Sequence, residues 1–286
     1  MKRMRLSRDD AIFSAAAYAD IFDYPLTEEE VHLWMPYKVS FARPGLAKLK
    51  EETFKIRAKR VAWCKEKWDR AKKVAAFLRF IPTIQLVGVT GGLAMNNAKK
   101  EDDIDLFFIA SRGTVWITRL LVTCAVECLG IRRIPGEKDV HNKICLNMFM
   151  GDDALLLPKD ERDFFAAHEV LQMVPLWERG IIYQKFLRAN RWAERFLPNA
   201  WNEKNQKYKS KIKKNLIQCA VFFFKMFEPI AKVCQLWYMK KRRTNEVVSN
   251  SVIRFHPRDA RIWIKKAFAK RLAKRNVPLD KIFYGR

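Results

Sequence analysis

Apolar residues recur at helical spacing along most of this chain, and only near residues 84–150 does the pattern shift to the shorter period of strands. Residues 7–22 read as a helix with Ser7 and Asp10 as its capping pair. After Asp23-Tyr24-Pro25, Thr27 and Glu30 have the spacing of a capping box and start a second helix running to about Trp34. A third helix near residues 45–52 completes a pattern shared by helix-turn-helix units, winged helices and other small helical bundles. A long helix follows over residues 54–79, with Ile56, Val61, Trp63, Trp68, Val74 and Phe77 among its apolar positions, and it stops before Pro82.

The mostly apolar run 84–89 predicts a strand that leads through Thr90 into Gly91-Gly92 and a short helix over residues 93–98. A second strand carries Asp103 and Asp105, an amphipathic helix spans residues 114–129, and a third strand covers residues 143–150. Beyond Asp160 the pattern is almost entirely helical, with breaks near Pro175, Pro198, Pro229 and Pro257. The expected class is α+β, with a small mixed sheet flanked by helices, a helical N-terminal region and an all-α C-terminal region. Three units follow from this reading: a helical, winged-helix-like unit over residues 1–53, a sheet-bearing unit over 54–158, and a basic helical unit over 159–286.

The chemistry concentrates in Thr90-Gly91-Gly92 and in the acidic strand. Asp103 and Asp105 are two residues apart, so an extended backbone points both to one face and sends Ile104 and Leu106 into a core on the other. Adjacent carboxylates repel unless a cation or a proton lies between them. Such hard oxygen ligands suit Mg2+ or Mn2+, which bind a few carboxylates together with substrate phosphates. The glycine pair opens a helix whose N-terminal N–H groups suit a phosphate. Phosphate cradle and metal carboxylates, separated by the ten residues 93–102, describe a nucleotidyl-transfer site.

This arrangement, a glycine pair followed by Asp-apolar-Asp-apolar, resembles the nucleotidyltransferase superfamily related to DNA polymerase beta. Over more of the chain, YADIFDYPLT, VTGGLAMNN, EDDIDLFFI, KICLN, AAHEVLQMVPL and FLPNAW resemble bacterial nucleotidyltransferase-domain proteins. The resemblance implies that Asp103 and Asp105 hold Mg2+ ions bridging an NTP, and that Gly91 and Gly92 contact its phosphates. It also implies that an acceptor hydroxyl attacks the α-phosphate in line and releases pyrophosphate. Two positions depart from the family pattern. Gly92 stands where many members have serine, and the strand expected to bring a third carboxylate offers only Asn147. Asparagine ligates through its carbonyl but cannot act as a general base. Either two carboxylates suffice, or the domain binds nucleotide without efficient turnover. Lys99, Lys100 and Arg112 flank the motif as candidate triphosphate partners.

Charge adds a second signal. Lysine and arginine total 56 against 31 acids, a formal net charge of +25, and residues 201–286 hold 23 of the basic residues with only 5 acids. The clusters KNQKYKSKIKK, KKRR and KKAFAKRLAKR are interleaved with Tyr208, Trp237, Tyr238, Trp263 and Phe268. Such a region attracts polyanions, which makes nucleic acid, RNA or single-stranded DNA, the expected larger partner and an anionic membrane surface the alternative. Three functional classes therefore stand: a nucleotidyltransferase acting on an RNA or protein hydroxyl, a weakly catalytic nucleotide sensor that binds nucleic acid, and a membrane-surface protein.

The remaining signals bound these classes. The most apolar stretch, 215–239, contains Lys225, Glu228, Pro229 and Lys232, which break up the roughly 20 apolar residues a membrane span requires. Burial in the C-terminal unit is expected for it, with a helix lying at a membrane interface as the alternative. The six cysteines show no metal spacing, and Cys124 and Cys128 read as core packing on an apolar helix. The charged start MKRMRLSRDD and unpaired cysteines give a cytoplasmic expectation. His168 and Glu169 fall in an amphipathic helix, where a structural role is expected of both.

Overall fold

The apolar runs around the acidic motif become the middle of one six-stranded sheet. The computed structural model describes residues 6–36, 51–208, 218–240, 247–254 and 260–285. Helices α1 (Arg8–Ala19), α2 (Glu28–Trp34) and α3 (Glu51–Leu78) precede β1 (Ile84–Val89). Then come α4 (Gly91–Ala94), β2 (Ile104–Ala110), α5 (Val115–Cys128), β3 (Ile144–Gly151), α6 (Phe164–Gln172), β4 (Val174–Glu178), α7 (Ile182–Ala189) and α8 (Pro198–Lys207). The chain continues through α9 (Gln218–Lys225), α10 (Glu228–Met239), β5 (Val247–Val248), β6 (Val252–Arg254), α11 (Ala260–Leu272) and α12 (Leu279–Phe283). Strand order is β4-β1-β2-β3-β6-β5. Only β2 and β3 are parallel. A parallel pair needs a crossover, and α5 supplies it.

The alternation in β2 sorts its side chains as the pattern predicts. Ile104, Leu106, Phe108 and Ala110 enter one core with α3, α5 and α10, while Phe107 and Ile109 enter the other. That second core combines Tyr18 of α1, Trp34 of α2, Phe164 of α6 and Phe268 of α11. N-terminal and C-terminal helices thus bury their apolar faces together, against the same side of the sheet as Asp105. The predicted caps form: Ser7 accepts from the Asp10 N–H, and Thr27 and Glu30 close a reciprocal capping box. The third N-terminal helix expected near residues 45–52 falls mostly outside the described residues.

Several expectations are corrected. The region beyond Asp160 is not all-α, because β4, β5 and β6 complete the sheet. Pro175, read as a helix break, lies in the edge strand β4 at a register shift opposite Gly88. An edge at an irregular point is where a missing N–H costs least. Strands β5 and β6 have only two and three residues, too few for a period to show. The helix expected over residues 93–98 is one turn, Gly91–Ala94, ended where Asn96 turns left-handed at φ 53°.

On α3 the buried stripe is Arg60, Cys64, Lys67, Ala71, Val74 and Leu78, whereas Ile56, Val61 and Phe77 are exposed. Two cations are buried because they hold loops. Arg60 donates to Phe22 O (2.9 Å), Asp23 O (3.2 Å) and Asn97 Oδ1 (2.6 Å). Cys124 and Cys128 are exposed rather than core. The outer side of α9 and α10 is exposed too, contrary to the burial expected for this stretch. No helix among the described residues is long and apolar enough to cross a membrane.

Candidate active site

β1 ends beside the start of β2, at the turn that carries the glycines. The Thr90 N–H donates to Asp105 O (3.1 Å), which ties the turn to the start of the acidic strand. Gly91 then adopts φ 66° and passes directly over the Asp105 side chain. A Cβ at Gly91 would lie 2.7 Å from Asp105 Oδ2, so both the backbone conformation and the close approach require glycine. The sequence pairing of glycine turn and carboxylate is thus a spatial pairing.

The loop before β2 is fixed from below by α3. Lys67 donates to Lys100 O (3.1 Å), Asp102 O (2.5 Å) and Asn142 Oδ1 (2.9 Å), and Trp68 Nε1 donates to Asn96 Oδ1 (2.6 Å). These bonds set where Asp103 enters the strand. Asp103 meets Arg133 at 2.5 Å. Arg133 comes from a segment running beside the start of β3, where its N–H donates to Ile144 O (2.9 Å).

Register places Cys145, not Asn147, opposite Asp105. The register between β2 and β3 shifts after Leu106 and Leu146, leaving Asn147 as the extra residue of a bulge. Bulges re-aim side chains, and here the Asn147 amide donates to Thr90 Oγ1 (3.4 Å). Asp103, Asp105 and Cys145 have ligand atoms within 4.8 Å of one another. The two carboxylates fit a hard divalent ion; the thiol does not. Burial, and then the Asp103 carboxylate, push the Asp105 carboxyl up to about 7, with the Cys145 thiol and Arg133 pulling it partly back. Burial, and then the Asp105 and Asp103 carboxylates, push the Cys145 thiol well above its ordinary range, so it stays protonated. Arg133 offsets only part of the repulsion in this carboxylate pair, which is a donor set that a divalent ion would satisfy.

Two cavities meet above the motif. One, of about 240 Å3, is lined by Gly91, Gly92, Asp105, Asn147, His168 and Glu169, with walls from α1 and α11. The other, of about 370 Å3, is lined by Thr90, Phe107, Asn147, Met148, Met150, Glu169 and Met173, among others. Asn147 and Glu169 border both. Burial and then Asp105 push the Glu169 carboxyl up to about 7.

Glu169 is therefore a cavity carboxylate, where the sequence supported only a structural role. His168 is structural. It stacks on Tyr18 (4.1 Å between centroids) and Trp34 (5.3 Å), its Nδ1 lies 2.9 Å from Phe164 O, and burial pushes its pKa down to about 3.

The flanking cations do not gather here. Lys99 and Lys100 are exposed and line neither cavity. Arg112 follows the far end of β2 and pairs with Asp153 at 3.6 Å. The cation beside the motif is Arg133, for which the sequence carried no signal. Glu169 had one: it is the lone acid in the mostly apolar helix FFAAHEVLQ. The chain matches no family model, no curated protein and no solved structure.

Proposed function

We propose that this chain is a nucleotidyltransferase, which transfers a nucleoside monophosphate from an NTP to a hydroxyl of an RNA or protein acceptor. The observation that carries the reading is Gly91 lying against Asp105, which joins a backbone turn suited to phosphate with a carboxylate suited to a cation. Asp103 and Asp105 would hold Mg2+ or Mn2+, and the bound ion supplies charge neutralisation on the transferring phosphate. Gly91 and Gly92 line the same cavity as Asp105, and a phosphate would rest there. Glu169, which lines the same cavity as Asp105 and has its carboxyl near 7, would accept the acceptor hydroxyl's proton as the general base. The acceptor oxygen then bonds to the α-phosphorus as the bond to pyrophosphate breaks.

A second reading, a nucleotide-binding protein with weak turnover, is favoured by the thiol opposite Asp105 and by the Arg133 guanidinium already seated on Asp103. Incubation with labelled ATP, GTP, CTP and UTP, Mg2+ or Mn2+, and total cellular RNA and protein separates the two. Label in RNA or protein with released pyrophosphate supports transfer. Bound nucleotide without pyrophosphate supports the second reading. Absence of any metal-dependent nucleotide binding overturns both.

A further inference from the structure

Helix α10 has two apolar sides, and among the described residues only one of them has a partner. Its inner stripe, Ala231, Gln235 and Met239, is buried, packed on α5 in the core behind the sheet. The Glu228 carboxylate accepts from the N–H groups of Trp116 (2.9 Å) and Ile117 (2.8 Å), capping the start of α5. Gln235 donates to Trp116 O (2.8 Å) and accepts from Arg119. These polar contacts fix the roll of the helix, so it cannot turn its outer side inward without breaking them.

That outer side is apolar and continues onto α9. Phe222 is 71% exposed, Met226 66%, Ile230 62%, Val233 67% and Trp237 79%, with Phe223 beside them at 56%. Positions 222 and 226, then 230, 233 and 237, have the spacing of one helical face. The exposed apolar area is on the order of 600 Å2, at the upper end of what a monomer leaves uncovered. Around it the sequence is almost purely basic. Residues 204–245 contain twelve lysines and arginines against one acid, Glu228, and that acid is turned inward onto α5.

We propose that α9 and α10 dock the protein on an anionic lipid bilayer, with the apolar face in the interfacial layer and the basic charge of this stretch of sequence drawing it to lipid phosphates. The charge selects this occupant. A second copy of a chain with net charge +25 would bring like charge against like. Nucleic acid offers no partner for the aliphatic Met226, Ile230 and Val233, since stacking needs a π face. A helix with exposed Trp and Phe on one side and lysine-rich flanks matches an interfacial helix. The surface lies on the opposite face of the sheet from Asp105 and Glu169, so docking leaves the cleft uncovered. The inference stands apart from the nucleotidyl-transfer reading and survives its failure.

Flotation with vesicles tests it. The protein should float with phosphatidylcholine vesicles containing about a third phosphatidylglycerol, much less with phosphatidylcholine alone, and less as salt rises. Phe223→Ser/Ile230→Ser/Trp237→Ser should lose at least tenfold in vesicle binding with an unchanged Tm. Trp237→Phe, a milder change, should keep binding but lose the component of tryptophan quenching by brominated lipid. The proposal is overturned if the protein ignores anionic vesicles, or if the folded triple variant binds them equally well. It is also overturned if the patch instead mediates dimerisation or RNA binding, read as loss of either in the triple variant without any vesicle binding by the parent.

Discussion

Lys67 and Asp105 are both charged residues taken out of bulk water on opposite faces of the same motif, and their surroundings differ in kind. Lys67, under the motif on α3, meets three oxygen acceptors. Asp105, above it, meets a protonated thiol, a second carboxylate and a cavity, and its carboxyl rises to about 7. Glu169 across that cavity rises to about 7 as well. A buried charge that finds its full set of partners within the chain is part of the scaffold. One whose carboxyl is raised by burial and a neighbouring carboxylate, beside open space, is poised for something the chain does not supply.

The most disruptive way to sharpen this contrast is Lys67→Met. It strands Lys100 O, Asp102 O and Asn142 Oδ1 at once, and should cost about 3 kcal/mol in denaturant unfolding. Unchanged stability would remove Lys67 from the scaffold.

Next in size, Asp103→Asn with Asp105→Asn should abolish Mg2+-dependent nucleotide binding by calorimetry, a loss of tenfold or more, while the protein stays folded. Full retention of affinity would eliminate the site. The same residues set a pH signature. Asp105 and Glu169 titrate near 7 when folded, against about 4 in the unfolded chain. Between those values the folded state holds protons that the unfolded state has released, so their contribution to stability falls as pH rises from about 4 to about 7. The Tm of Asp105→Asn should depend less on pH across that window than the parent's.

Asn147→Asp should have a smaller effect. It adds a carboxylate to the two cavities and should tighten Mg2+ binding a few-fold. A lower Tm with no change in metal affinity would make Asn147 a structural amide of the bulge. Smallest of all, Arg133→Gln should alter stability by less than about 1 kcal/mol, because the guanidinium is 44% exposed. It should raise Mn2+ affinity about twofold to threefold by freeing Asp103; weaker binding would make Arg133 a phosphate partner instead.

Much of the central motif was legible along the chain, because its signals are local. Turn glycines, alternation through Ile104-Asp105-Leu106 and the caps at Ser7 and Thr27 depend on residues within a few positions of one another. Glu169, Cys145 and Arg133 were not legible as site residues. Each reaches the motif through pairing or packing with residues distant in sequence, and Cys145 takes its place opposite Asp105 through a strand register that includes a one-residue bulge. The buried face of α3 was not legible for a related reason. Arg60 and Lys67 are inside because backbone carbonyls of other segments are there to receive them, which no helical period records.

By itself, the sequence determined the elements around the acidic strand, the glycine turn beside it and the basic excess of the last third. Periodicity, capping and charge are properties of neighbouring residues, so they survive without a fold. Tertiary structure alone decided that N-terminal and C-terminal helices share the core over the cleft, that Glu169 borders the same cavity as Asp105, and that the outer side of α9 and α10 is left exposed among the described residues. An apolar stretch says only that burial is favourable. Which of its sides is covered depends on what the rest of the chain brings to it, and on α10 the sheet and α5 cover one side only.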